Sequence, residues 1–186
     1  MLEDPRYLVP SCPVGTTGMA WLRGTVPRFC DGPEHGRRRA AFEATLGELR
    51  VEPRDGEDPT TALLRALGLD EALAAEVDAA AASYQPHLPV TPEADEAVER
   101  LVVACGARDE RTAMRICVLV QAHTAMRALI DLRRRGDHSP PAPSTRRVDP
   151  DGNEVAVDLA DAHFGRGVHA CPGRELALRL VETALR

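Results

Sequence analysis

The stretch "HFGRGVHACPGRELA" at residues 163–177 places one cysteine, Cys171, in a glycine-rich run that leads into a helix. Gly165, Gly167 and Gly173 have no Cβ, so the backbone can turn with positive φ and approach a flat ligand closely. The proline after the cysteine suits the first turn of the apolar-periodic segment "RELALRLVETAL". The free amides and the positive dipole end of such a helix favour thiolate over thiol. The sequence therefore predicts a nucleophile or a metal ligand here, or else a buried cysteine in a structural turn.

Helical patterns extend from this loop back through most of the chain. Apolar residues recur near the helical period from about Asp109 to Arg135, which predicts a helix of roughly 40 Å. In "DGPEHGRRRAAFEATLGEL", Asp31 is a capping candidate for another helix. Further helices are predicted over Thr60–Ser83, with an interruption at Gly68, and over Glu93–Cys105.

The other segments carry proline and glycine in place of helical periodicity. Residues 1–30 are predicted to form an irregular arm, and residues 136–147 a proline-stiffened connector. The segment "RRVDPDGNEVAVDL" has a Pro-Asp-Gly turn between short alternating runs and predicts a small β-hairpin. We therefore expect a single, mainly α domain over residues 1–186, with a long central helix, a β-hairpin and a C-terminal cysteine loop followed by a helix.

Composition and charge exclude several classes of function. The chain has 186 residues, of which 44% are hydrophobic, and a net charge of -6, which argues against a broad nucleic-acid-binding face. The five cysteines include no CxxC pair, which argues against a disulfide framework or a structural zinc site. No signal peptide or membrane span is predicted, so we expect a cytoplasmic protein with no membrane or nucleic-acid partner.

The spacing F-G-x-G-x-H-x-C-x-G closely resembles the heme-ligand signature of the cytochrome P450 family. All six positions match, and "ELA" follows as in that family; the matching residues are Phe164, Gly165, Gly167, His169, Cys171 and Gly173. The resemblance implies that Cys171 is the thiolate ligand of a heme b iron. It also implies that Phe164 packs beside the sulfur and that His169 reaches a heme propionate.

A second segment supports the same resemblance. "DGPEHGRRR" is similar to the D-P-P-E-H-T-R-L-R segment of the family's C helix, where a histidine and an arginine four residues later bind a propionate. Here these residues are His35 and Arg39, which share a helix face at this spacing. Arg147 falls where the family has another propionate arginine, and the adjacent Arg146 is the alternative.

The chain also departs from the family. Members are about twice this length, and their K helix carries a Glu-x-x-Arg motif that is not found between the long helix and the hairpin. The resemblance covers about residues 28–50 and 115–186, and implies a reduced P450-like fold with an I-like central helix and an L-like last helix. The acid-alcohol pair of the I helix is replaced by His123 and Thr124, or by Thr124 and Ala125. We take His123 and Thr124 as candidate catalytic residues, with His123 as a distal acid or base, or else as a structural histidine.

The resemblance implies a heme-thiolate enzyme that acts on a small molecule, by oxidation or peroxygenation or by a non-oxygenase heme reaction, in bacterial specialised-metabolite biosynthesis. Its electron source would be a ferredoxin or reductase, or peroxide would be used directly. The alternatives are a non-catalytic heme protein (a sensor, a carrier or a degenerate remnant) and a heme-free binding module. Because the chain lacks segments that cover the heme in the family, we also predict a homodimer with substrate pockets near or across its interface; the alternative is an open heme edge that accepts a bulky or carrier-bound substrate.

Overall fold

The computed structural model describes residues 1–186, and most of its helices pack around one long central helix. The fold is mainly helical with one small sheet, as predicted. The seven helices are α1 (Gly18–Thr25), α2 (Gly32–Glu48), α3 (Pro59–Ala66), α4 (Ala74–Ala82), α5 (Pro92–Cys105), α6 (Glu110–Arg134) and α7 (Arg174–Ala184). Short 3-10 turns lie at Pro27–Phe29, Glu71–Leu73 and Gly167–His169.

The helix boundaries follow local capping signals. The side chains of Thr91 and Asp109 accept hydrogen bonds from backbone N–H groups in the first turns of α5 and α6. Gly106 and Gly136 follow the same two helices with φ of 100° and 70°, a conformation in which glycine carries no Cβ penalty. The predicted break at Gly68, where φ is 69°, separates α3 from α4. The predicted interruption at Gly68 is therefore confirmed.

The core forms around α6, which contacts α1 to α5 and α7. Its 25 residues span about 38 Å, and Ile116 and Leu119 are fully buried. Burying such a side chain contributes about 1.5–3 kcal/mol relative to leaving it exposed. By length and composition α6 could cross a membrane, but 61% of its most apolar window is buried inside the protein, as in the core helix of a helical bundle.

The predicted hairpin is present and is tied to the N-terminal arm. Strands β1 (Ser144–Val148) and β2 (Glu154–Asp158) are antiparallel, with Ser144 opposite Asp158. Leu8 forms an isolated antiparallel bridge with Val148, so the arm lies along the hairpin edge.

Two predicted boundaries are corrected. The arm over residues 1–30 is not irregular throughout, because it contains α1 and the 3-10 turn at Pro27–Phe29. The N-terminus of α1 is capped from α5, where Glu99 and Asp95 accept hydrogen bonds from the N–H groups of Gly18 and Met19 at 2.7 Å each. The connector over residues 136–147 ends earlier than predicted, because its last four residues, 144–147, belong to β1.

Candidate functional site

One cavity of about 490 Å³ is lined by both the cysteine loop and the central helix. Its volume lies within the range of about 300–1,000 Å³ that is usual for small-molecule sites. Further walls come from α2, α7, the hairpin, the N-terminal arm and the 3-10 turn before α2. The side chains that α6 contributes are Cys117, Val118, Gln121, Ala122, Ala125, Met126 and Leu129.

The cysteine loop is closed by its own backbone. The N–H of Cys171 donates to the carbonyl of Phe164 at 2.7 Å, which brings the two ends of the loop together. Gly165 and Gly167 have φ of 70° and 67°, so the predicted positive φ is confirmed at these two positions. The prediction is wrong for Gly173, whose φ is -91°. Gly173 nevertheless lines the cavity, where a side chain would take space from a ligand.

Cys171 lines the cavity three residues before the start of α7. Burial raises the pKa of its thiol, and this outweighs the backbone hydrogen bond from Gly173 and the charges of Arg39 and Arg28, which lower it. The sequence predicts that Cys171 favours thiolate, but in the protein without a ligand the raised pKa favours the thiol. A bound metal ion deprotonates a coordinating thiol, so the group remains suited to ligation.

His169 is fixed by a carboxylate from α2. Its Nε2 lies 2.9 Å from Asp31 Oδ1, and Asp31 Oδ2 accepts a hydrogen bond from the N–H of Val9 at 2.9 Å. Asp31 occupies the N-cap position of α2 but makes no capping hydrogen bond, so its predicted capping role is replaced by this bridge. The bridge joins the cysteine loop, α2 and the N-terminal arm at the edge of the cavity.

His35 and His169 form a ring pair with centroids 4.1 Å apart. Both rings line the cavity. Burial lowers the pKa of His35 and of His169, so both are neutral at pH 7. The two predicted propionate contacts are thus brought together from α2 and the cysteine loop, as neutral hydrogen-bonding groups.

Arg39 also lines the cavity, and it ties α2 to the cysteine loop. Its Nε donates to Glu43 Oε1 at 2.6 Å, and its Nη1 donates to the carbonyls of Ala170 at 2.6 Å and Val168 at 3.3 Å. Part of the guanidinium is therefore committed within the protein, which leaves Nη2 as the donor available to a ligand.

Arg147 is the buried member of the pair of adjacent arginines. Its residue exposure is 7%, and its guanidinium donates to the carbonyl of Arg146 at 2.9 Å without any carboxylate partner. Arg146 is exposed at the other face of β1 and is paired with Glu154. Both line the cavity, and of these two arginines Arg147 is the one that is buried and has no carboxylate partner.

No protein-family model and no curated protein matches this chain. The resemblance to the P450 signature therefore rests on the residues that carry it. No group of three or more His, Cys, Asp or Glu side chains is placed to hold a metal ion. A heme iron is held by the porphyrin and needs only one side chain, such as a thiolate, on its proximal face.

The two candidate catalytic residues do not line the cavity. His123 is buried between α6, α3 and α4, where its Nδ1 lies 2.8 Å from Thr60 Oγ1 and its Nε2 lies 2.9 Å from Asp78 Oδ1. Thr124 is exposed to solvent. This placement corresponds to the structural alternative for His123, and we assign neither residue to the chemistry of the cavity.

Six polar residues of the cavity were not singled out from the sequence: Arg28, Gln85, His87, Gln121, Ser144 and His163. Gln121 accepts hydrogen bonds from the hydroxyl of Tyr84 at 3.3 Å and the thiol of Cys117 at 3.5 Å. Its amide nitrogen makes no hydrogen bond within the chain, so it is a donor available to a ligand. The helical spacing of Gln121, Ala122 and Ala125 was the only signal that could have identified this face of α6.

Proposed function

We propose that the cavity binds heme b through the Cys171 thiolate and that the protein is a heme-thiolate enzyme acting on a small molecule. One observation carries the proposal. The eight residues assigned to cofactor binding by resemblance come from separate parts of the chain, yet all eight line the same cavity: His35, Arg39, Arg147, Phe164, Gly165, His169, Cys171 and Gly173.

The donor set of the cavity suits this cofactor. A single thiol projects from a glycine loop, apolar side chains of α6 and α7 supply walls for a flat apolar ring, and Arg147 supplies an unpaired cation for a propionate. Burying carboxylates is costly unless they meet donors or cations, and charge-assisted hydrogen bonds are stronger than neutral ones. When bound, a heme with a thiolate ligand supplies oxygen or peroxide activation, because the thiolate pushes electron density toward the iron.

The chain's own residues have distinct tasks in this proposal. The N–H of Gly173 hydrogen-bonds the Cys171 sulfur and stabilises its negative charge. Asp31 holds His169 at the cavity edge by accepting from its Nε2. On the α6 wall, the small side chain of Ala122 leaves room for a substrate, and Gln121 offers an amide N–H to orient it.

A second candidate function, non-catalytic heme binding, is favoured by the face that α6 turns to the cavity. This face carries no carboxylate and no hydroxyl group, and its polar groups are the Gln121 amide and the Cys117 thiol. Burial raises the pKa of Cys117 to about 12, so this thiol stays protonated near neutral pH and does not replace a carboxylate as a proton source. A heme protein of this kind would serve as a sensor or carrier.

Hemin titration tests heme-thiolate binding, which both functions require. We expect one hemin per chain to bind the wild-type protein, and much weaker binding to Cys171→Ala. Cys105→Ala is the matched control, because Cys105 is half-buried on α5 outside the cavity. Equal hemin affinity in wild type and Cys171→Ala would refute heme-thiolate binding.

Turnover of a phenolic dye then identifies the type of function. The hemin-loaded protein is supplied either with a reductase system and oxygen or with peroxide alone. Rates above those of free hemin in either arm support an enzyme and indicate its oxidant. Rates no higher than those of free hemin in both arms, with hemin firmly bound, support the non-catalytic alternative.

A further inference from the structure

Two arginines of the cavity have no carboxylate partner within the chain. No aspartate or glutamate lines it, whereas four arginines do: Arg28, Arg39, Arg146 and Arg147. Arg39 and Arg146 are paired with Glu43 and Glu154. Arg28 and Arg147 form no ion pair with any carboxylate of the chain. The cavity therefore holds two guanidinium groups without an ion-pair partner, and Asp31 acts on Arg147 only through its charge.

The position of Arg28 in the cavity was not indicated by any motif of the sequence. It lies in the 3-10 turn between α1 and α2, and its Nη2 donates to Gln85 Oε1 at 2.8 Å. Its Nε is shielded from solvent and has no hydrogen-bond partner. A buried charged donor without a partner is costly, so a ligand that accepts from it would gain what the protein leaves unsatisfied.

The charge of Arg28 reaches the Arg147 guanidinium. Burial is the largest cause that lowers the pKa of Arg147, the charge of Arg28 lowers it further, and the charge of Asp31 raises it. Arginine stays protonated even so, and two nearby cations in a site without carboxylates favour an anionic occupant. The planar guanidinium fork matches a carboxylate in geometry.

We propose that Arg28, oriented by Gln85, binds a carboxylate in the cavity, beside the one bound by Arg147. As a statement about the ligands of the same cavity, this rests on the proposed function. The carboxylate has two sources: the second propionate of heme, or a substrate that carries a carboxylate on an apolar body. The mainly apolar walls of α6 and α7 suit either one.

Binding of four probes distinguishes these sources. Calorimetry compares hemin with hemin dimethyl ester, which lacks the propionate charges, and decanoate with decanol, which lacks the carboxylate. The variants are Arg28→Met, which removes the charge but keeps length, and Arg28→Lys, which keeps the charge but loses the fork. Arg127→Met is the control, because Arg127 is exposed on α6 outside the cavity. Circular dichroism establishes that each variant is folded.

If the partner is a propionate, Arg28→Met weakens hemin binding by about ten- to a hundredfold and leaves the dimethyl ester unaffected. If the partner is a substrate carboxylate, Arg28→Met leaves hemin affinity unchanged and weakens decanoate binding by a similar factor, without changing decanol binding. Arg28→Lys is expected to recover part of the loss. Gln85→Leu removes the hydrogen bond that orients the Arg28 guanidinium and keeps the guanidinium itself. This variant is expected to lose less affinity than Arg28→Met for the same probe.

These experiments separate a failure of the carboxylate site from a failure of the heme proposal. Decanoate binding that depends on Arg28, in a protein that binds no hemin, would support the carboxylate site and overturn the heme proposal. Unchanged binding of both hemin and decanoate in folded Arg28→Met overturns the carboxylate site. If Arg28→Met does not fold, the same comparison in Arg28→Lys and Gln85→Leu decides, and unchanged affinities in both overturn it. Binding of neither anion to wild type overturns both proposals.

Discussion

Replacement of Asp31 tests whether one carboxylate joins the cysteine loop, α2 and the N-terminal arm. Asp31 accepts from His169 Nε2 and from the N–H of Val9, both at 2.9 Å, and its side chain is 28% exposed. Hydrogen bonds to charged groups contribute about 1.5–3 kcal/mol each. Partial exposure places both at the lower end, so Asp31→Ala is expected to lower the free energy of unfolding by about 2–4 kcal/mol. Asp31→Asn keeps one acceptor and is expected to lose about half as much.

Urea unfolding measures this loss, and trypsin cleavage after Arg6 reports on the arm. In Asp31→Ala the arm loses its anchor at Val9, so cleavage is expected to be faster under native conditions. Asp55→Ala is the control, because Asp55 is 68% exposed and makes only a 3.4 Å contact with Arg186. Its unfolding free energy is expected to stay within about 0.5 kcal/mol of wild type. If Asp31→Ala also stays within that interval, the bridge does not hold these segments together.

Three other predictions concern the core, the loop and the assembly. His123→Ala is expected to lower the free energy of unfolding in urea by about 1–3 kcal/mol, because it leaves the Thr60 hydroxyl buried without a partner, and to leave hemin affinity unchanged. Thr124→Ala is expected to change neither quantity. A loss of hemin binding in either variant would restore a role for that residue in the cavity. Gly165→Ala is expected to cost about 1–2 kcal/mol in the same assay, because φ is 70° there, and wild-type stability would contradict the loop geometry. Light scattering on the hemin-loaded protein is expected to give the mass of two chains, since an open apolar heme edge needs cover; the mass of one chain with hemin retained would refute the dimer.

Local signals in the sequence predicted much of the fold. The helices α2, α5 and α6 begin at capping residues or prolines, and α7 is indicated by its apolar repeat, so these helices could be predicted from neighbouring residues. The missed helix, α1, is capped by Asp95 and Glu99, which lie more than 70 positions away along the chain. Capping contacts at that separation exist only after α1 and α5 have packed together.

Site residues that belong to one continuous motif could be predicted from the sequence. Site residues that are brought together only by packing of distant segments could not. The cysteine loop is one continuous stretch, so its residues and turns could be identified from glycine positions and by resemblance. Arg28 and Gln85 meet across 57 positions, and no pattern in either segment signals the contact. On α6, neighbouring residues point about 100° apart, so His123 faces α3 and α4 while Gln121 and Ala122 face the cavity.

The absorption spectrum of the reduced, carbon monoxide-bound protein tests the central claim most directly. If Cys171 holds heme iron as thiolate, this complex shows the strongly red-shifted Soret band of thiolate ligation, and Cys171→Ala lacks it. Cys105→Ala should retain the band, because Cys105 lies outside the cavity. A wild-type spectrum of histidine-ligated heme, or one without bound heme, would contradict the account.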